Sequence, residues 1–277
     1  MDLSFRGAAK RLDDIDLPRI GARIGVGEDE IHAFMDVEAA GSGFDSQGRP
    51  KMLFEPHVFW RNLSGAKRVA ASQKGLAYPK WGEKPYPKDS YSRLIEAIGI
   101  DRSAAIMASS WGLTQILAEN HREAGYATPE AMVDAFCQDE ESHLEATVML
   151  LVSMGIDDDL KAHRWQTVAR VWNGPGYARN QYDVKLDRAY RKWANIPDTP
   201  WEGEVTVVAG KARPVLRRGD RGDDVGALQM ALNAHGGALK VDEDFGAATE
   251  GAVKTFQLRS SLTADGVVGP KTWGALA

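Results

Sequence analysis

Cysteine is nearly absent from this 277-residue chain: Cys137 is its one thiol, so no intramolecular disulfide forms and a disulfide-stapled fold is excluded. Cys137 sits in the helical pattern AMVDAFCQ and reads as a small core residue. Long apolar runs are also missing. The most apolar stretch, Ala146–Met154, is far short of the ~20 residues a membrane span needs and reads as a buried helix. The N-terminal MDLSFRGAAKRLDDIDLP holds no apolar run of signal-peptide length, which predicts synthesis in the cytoplasm and no membrane insertion. Net charge is only −5, so bulk electrostatics favour neither nucleic acid nor an anionic membrane. None of the six histidines falls in an HExxH or another metal pair, and no Walker or Rossmann glycine pattern occurs; no metal or cofactor is expected. His143 and Glu140 are i, i+3, on what reads as a solvated helix face.

What is present is mostly helical pattern over residues 1–196. Thr128-Pro129-Glu130 is a helix start, with an N-cap, proline at the first position and an acid in the first turn; the helix is expected to run towards Met154, with an irregularity at 139–142, and to end at Gly155. Asp157–Trp172 and Ala178–Ala194 are expected helices around the turn Asn173-Gly174-Pro175-Gly176. Between Gly43 and Glu55 the turn-rich GFDSQGRP leads into a short extended KMLFE, which predicts a small hairpin; Pro56 biases Glu55 to a β conformation. Residues 197–213 read as a linker containing a β-prone Val205–Val208.

Glu38 stands out. Glu28–Ala40 reads as one helix stopped by Gly41, with Ile31, Phe34 and Met35 on an apolar stripe whose next position is Glu38. Asp36 and Glu30 are expected to face water. A carboxyl on the buried face of a helix, in its negative last turn, should keep its proton, as a general acid must.

The last 64 residues, 214–277, contain a repeat: DEDFGAAT at 242–249 matches DGVVGPKT at 265–272, an offset of 23. Each copy is a tight turn followed by a threonine that opens a helix. Helices over Asp223–Ala234, Thr249–Ser260 and Thr272–Leu276 make a three-helix module, with Val225, Leu228 and Leu232 as its first stripe.

This module resembles the peptidoglycan-binding domain type 1, through Leu216–Gly222, Leu228-Gln229, Asp242, Phe245-Gly246, Thr249, Phe256-Gln257 and Asp265–Trp273; Glu243 replaces the usual glycine. Residues 1–196 resemble the phage N-acetylmuramidase family of endolysins, through Asp36-Val37-Glu38, Gly43-Phe44-Asp45, Leu53–His57, Ser110–Ile116 and Trp172–Tyr177. The resemblance implies a mostly α, lysozyme-like fold, related to goose-type lysozyme, with a small hairpin. It also implies cleavage of the β-1,4 bond between N-acetylmuramic acid and N-acetylglucosamine, by a monomer that reaches periplasmic peptidoglycan through holin-type release.

Within that reading Glu38 is the acid and Glu55 the second carboxylate, with Asp45 its competitor and more simply an Asx-turn residue. Trp111 offers a face for a sugar ring or is a core aromatic. Gln115 suits an acetamido group. Asn173 and Tyr177 fall in a turn that the lysozyme-like reading makes a cleft wall, and Ser110–Gln115 is expected where one helix gives way to another. Two other outcomes stand beside the muramidase: a lytic transglycosylase giving 1,6-anhydro ends, and a wall-binding phage structural protein.

Overall fold

A computed structural model describes residues 3–39, 41–87, 89–204, 213–260 and 262–276; the expected β-prone piece at 205–208 lies outside them. The chain forms two compact units, Met1–Leu151 with Lys192–Val208, and Val152–Arg191 with Ala209–Ala277.

The first unit holds α1 (Asp16–Ala22), α2 (Glu28–Glu38), β1 (Met52–Phe54), α3 (Pro56–Asn62), α4 (Gly65–Gln73), α5 (Tyr91–Ile98), α6 (Arg102–Met107), β2 (Ser109–Trp111), β3 (Ile116–Leu117), α7 (Pro129–Phe136) and α8 (Glu140–Ser153), whose last two residues fall to the second unit. The strands make one antiparallel sheet in the order β1-β2-β3, with Met52 opposite Trp111 and Ser110 opposite Leu117. Ser110–Gln115 is therefore a strand and hairpin turn, not a junction of two helices. Gly112 (φ 76°) and Gln115 (φ 55°) take the left-handed conformations that reverse the chain. The expected hairpin is present and small: Phe44 is bridged to Pro50, the Asp45 amide donates to the Arg49 carbonyl at 2.8 Å and the Lys51 amide to the Gly43 carbonyl at 2.7 Å, and the strand then continues into β1, which pairs with β2.

Thr128 caps α7 as expected, its hydroxyl accepting from the Ala131 amide at 3.1 Å. The predicted long helix is two, α7 and α8. Cys137 is buried between them, and burial pushes its thiol pKa up to about 12. α8 is covered on most sides: Leu144, Ala146, Val148, Leu150 and Leu151 are all buried. Glu140, His143 and Thr147 of this helix are buried too, which corrects the reading of Glu140 and His143 as a solvated face. His143 is 0% exposed; its Nδ1 accepts from the Leu113 amide at 3.2 Å and its Nε2 lies 2.8 Å from the Phe136 carbonyl. Those two partners fix a neutral ring protonated at Nε2.

α2 begins where Glu30 folds back to accept from the Gly27 amide at 2.8 Å. That contact buries Glu30, against the expectation that it faces water. The returning segment covers the outer side of α2. Trp193 stacks on His32 with centroids 3.9 Å apart, and Asp36 accepts from Trp193 Nε1 at 2.8 Å and Lys192 Nζ at 2.9 Å.

The second unit holds α9 (Asp157–Lys161), α10 (Trp165–Asn173), α11 (Tyr182–Trp193), whose last two residues fall to the first unit, α12 (Asp223–Ala234), α13 (Ala247–Arg259) and α14 (Pro270–Leu276). His163 (φ 54°) splits the single helix expected over 157–172, and Gln181 (φ 53°) delays the start of α11. In the C-terminal module Val225, Leu228 and Leu232 pack with Phe245, Val253, Phe256, Val268 and Trp273, as the stripe predicts. The repeat is held by two buried glutamines. Gln229 Nε2 faces Asp242 Oδ1, the Asp244 carbonyl and Thr249 Oγ1, while Gln257 Nε2 makes the same set with Asp265, Val267 and Thr272.

Candidate active site

Glu38 is the last residue of α2 and is half-buried. The helix stops there because Ala39 turns extended (φ −105°, ψ 123°), and Gly41 (φ 75°) completes the exit. Glu38 opens into a cleft of about 580 Å³. One wall is the 45–53 segment with Asp45, Arg49, Lys51 and Met52; Tyr91 and Gln115 face it from α5 and the β2–β3 turn.

Asp45 shares this cleft, but its carboxylate is engaged within its own loop. Oδ1 accepts from the Gln47 and Arg49 amides at 2.8 and 3.0 Å, an Asx turn, and Oδ2 accepts from Arg49 Nε at 2.7 Å, with Nη2 of the same guanidinium 2.7 Å away in the ion pair. Burial pushes its pKa up, but the bonds from Arg49 and Gln47 outweigh that and leave it lowered. Arg49 in turn lies 3.9 Å over the Tyr91 ring, and Tyr91 donates to the Pro50 carbonyl at 2.6 Å. The loop is thereby a fixed wall.

Glu55 is not among the residues lining the Glu38 cleft; the lining ends at Leu53, two residues earlier on the same segment. Glu55 precedes α3, and its amide donates to the Ala108 carbonyl at 2.7 Å. Its Oε2 accepts from Tyr86 Oη at 2.6 Å and lies 3.5 Å from His57 Nδ1. Burial, then the bond to Glu55, pushes the Tyr86 pKa up, so the phenol keeps its proton and donates. Oε1 of Glu55 makes no hydrogen bond with the described residues.

Gln115 lines the cleft with an exposed side chain. Its Nε2 donates to the carbonyls of Gly112 at 2.8 Å and Lys51 at 3.2 Å. Two carbonyl partners fix the amide's orientation and leave Oε1 as the group presented outward.

Trp111 is not a sugar platform. It is 0% exposed, its Nε1 donates to the Ile106 carbonyl at 3.3 Å, and its ring packs against Phe5 and Tyr91. Placed on the central strand, it points into the core. Asn173 and Tyr177 belong to the second unit: Asn173 ends α10, and Tyr177 follows Gly174 (φ 77°) and lines a groove with Pro175 and Gln166. Burial raises the Tyr177 pKa, so it too remains a phenol.

Sequence reasoning missed the residues that hold this cleft from beneath. Gly43 and Gly112 lie on the His143 ring; a Cβ at Gly43 would stand 2.5 Å from Nδ1, and one at Gly112 2.9 Å from Cγ. Glu140, 4% exposed, accepts from the Gly43 amide at 2.7 Å, Ser42 Oγ at 3.1 Å and the Leu12 amide at 3.2 Å. Among the described residues no group of three or more His, Cys, Asp or Glu is placed to hold a metal ion, and no helix is long and apolar enough to cross a membrane.

A solved Burkholderia AP3 phage endolysin is 34% identical, with a TM-score of 0.63 over 67% of this chain and 73% of that one. A peptidoglycan-binding protein from Clostridioides difficile is 41% identical over 23% of this chain and 40% of its own, with a TM-score of 0.23. An uncharacterized protein in the bpoA1 3' region of Kitasatospora aureofaciens is 42% identical over 67 residues, 24% of this chain; the match spans 57% of that relative's length. The model of the putative peptidoglycan binding domain matches residues 221–276. The N-acetylmuramidase model matches residues 28–194, well over half of the chain, and the protein belongs to that family.

Proposed function

We propose that the protein is a peptidoglycan hydrolase that cleaves the β-1,4 bond between N-acetylmuramic acid and N-acetylglucosamine, and that it serves in lysis of a bacterial host. The observation that carries this reading is Glu38, half-buried at a helix C-terminus and opening into a polar cleft. There it gives its proton to the glycosidic oxygen as the C1–O bond breaks. Glu55 stands outside the lining of the Glu38 cleft, two residues beyond Leu53, and is the candidate second carboxylate: Tyr86 holds Oε2, and Oε1 is left to take the proton of the water that adds to C1. Asp45 is tied to its own loop by three hydrogen bonds and the Arg49 ion pair, and supports the wall of the cleft. Gln115 Oε1 accepts from an acetamido N–H. The C-terminal module keeps the enzyme on the wall, which it reaches through a lesion made by another protein.

Glu38→Gln should abolish release of muropeptides from purified sacculi while the protein still pellets with them; retained turnover would refute the assignment. Glu55→Gln should lower kcat far more than Asp45→Asn, and the reverse order would exchange their roles. Mass spectrometry of the products should show reducing ends. Anhydro ends would mark a transglycosylase and remove the need for a base at Glu55.

A further inference from the structure

Two residues of the C-terminal module are poor choices for its own backbone. Gly226 lies inside α12, where glycine is among the weakest helix formers. Glu243 has φ 63°, a left-handed conformation that the second copy of the repeat gives to Gly266 (φ 76°). Both oddities meet at one side chain outside the module. Arg170 of α10, 8% exposed, pairs with Glu243, and its guanidinium lies on α12 so closely that a Cβ at Gly226 would stand 2.1 Å from Nη1. A second anchor lies at the start of the module. Asp159 of α9, 2% exposed, binds both Arg164 and Arg213. Arg213 sits 4.6 Å over the Trp273 ring, whose Nε1 donates to the Pro214 carbonyl at 3.0 Å.

We propose that α9 and α10, within the muramidase match, are a built docking surface for the peptidoglycan-binding module, which is seated on them in one orientation rather than tethered through the connecting chain alone. Gly226 is small so that the Arg170 guanidinium can lie flat on the helix. Glu243 accepts its backbone conformation in order to face that cation. Two ion pairs with a buried partner each, at separate places along the contact, resist sliding and rotation as one pair would not. The inference does not depend on the catalytic assignment.

The test is hydrogen exchange by mass spectrometry on the full chain. Gly226→Ala and Glu243→Gly each suit the module's own backbone better than the native residue, so neither should unfold it. Both should nonetheless speed exchange of the Trp165–Asn173 amides, by about tenfold if a buried ion pair is lost, with α12 and α13 still protected. Unchanged exchange in α10 in both variants would overturn the proposal. Arg170→Glu and Glu243→Arg should each have the same effect, and the double exchange should restore protection. A double variant as fast as the singles would also overturn it.

Discussion

Acid should loosen the floor of the cleft through one histidine. His143 is fully buried against Gly43 and Gly112, and burial, only partly offset by its bond to the Phe136 carbonyl, lowers its pKa from 6.5 to about 4. Unfolded, the ring takes its proton as pH falls through 6.5; folded, it refuses the proton until about 4. Between those values the unfolded chain holds the extra proton, so the stability due to neutral His143 is complete above pH 6.5 and is lost as pH falls towards 4. The gap corresponds to about 3 kcal/mol, with a slope near 1.4 kcal/mol per pH unit in mid-window. Urea unfolding followed by tryptophan fluorescence, at several pH values and constant ionic strength, measures that slope. His143→Gln is the control: it loses the acceptor for the Leu113 amide and is less stable at pH 7, by about 1–3 kcal/mol, but has no proton to take up. The wild type should therefore lose its advantage over the variant as pH falls. Other groups cancel in this difference, including half-buried His32, whose pKa burial also lowers. Parallel curves for the two proteins between pH 6.5 and 4 would refute the reasoning.

Other expectations follow from the same contacts. Gly112→Ala should destabilise by on the order of 2 kcal/mol, because it adds a clash with the His143 ring to a left-handed φ of 76°; a Tm within a degree of wild type would count against the tight packing. Trp111→Phe should lower Tm yet leave KM for soluble glycan unchanged, since the ring is 0% exposed; a raised KM at unchanged Tm would mark a sugar contact instead. Gln115→Glu turns a carboxylate towards the Gly112 and Lys51 carbonyls, but the side chain is exposed and free to swing into water, so it should cost only about 0.5 kcal/mol, seen as a small drop in thermal melts at neutral pH that is relieved in acid as the group protonates.

The helix that ends at Glu38 was legible because its apolar spacing runs for two turns and a glycine marks its exit. The module was legible because its turns repeat. The sheet was not: β2 and β3 have only three and two residues, too short for alternation to emerge, so SWGLTQ looked like a break between helices. That hid the direction of Trp111, which only strand pairing decides. His143 and Glu140 were misread for a different reason. Their partners, Leu12, Ser42, Gly43, Gly112 and Leu113, lie 30 to 128 residues away, and local periodicity carries no trace of them. The break at His163 has neither glycine nor proline to announce it.

The paired glutamine clasps set a limit on how this protein ages. Hydrolysis of one side-chain amide, with water entering and ammonia leaving, would turn Gln229 or Gln257 into a carboxylate facing an aspartate, a carbonyl and a threonine. No hydrophobic residue changes, yet one turn of the repeat is set against its own clasp. Stored enzyme would then lose its grip on the wall one half-module at a time, while the cleft at Glu38 stays chemically intact.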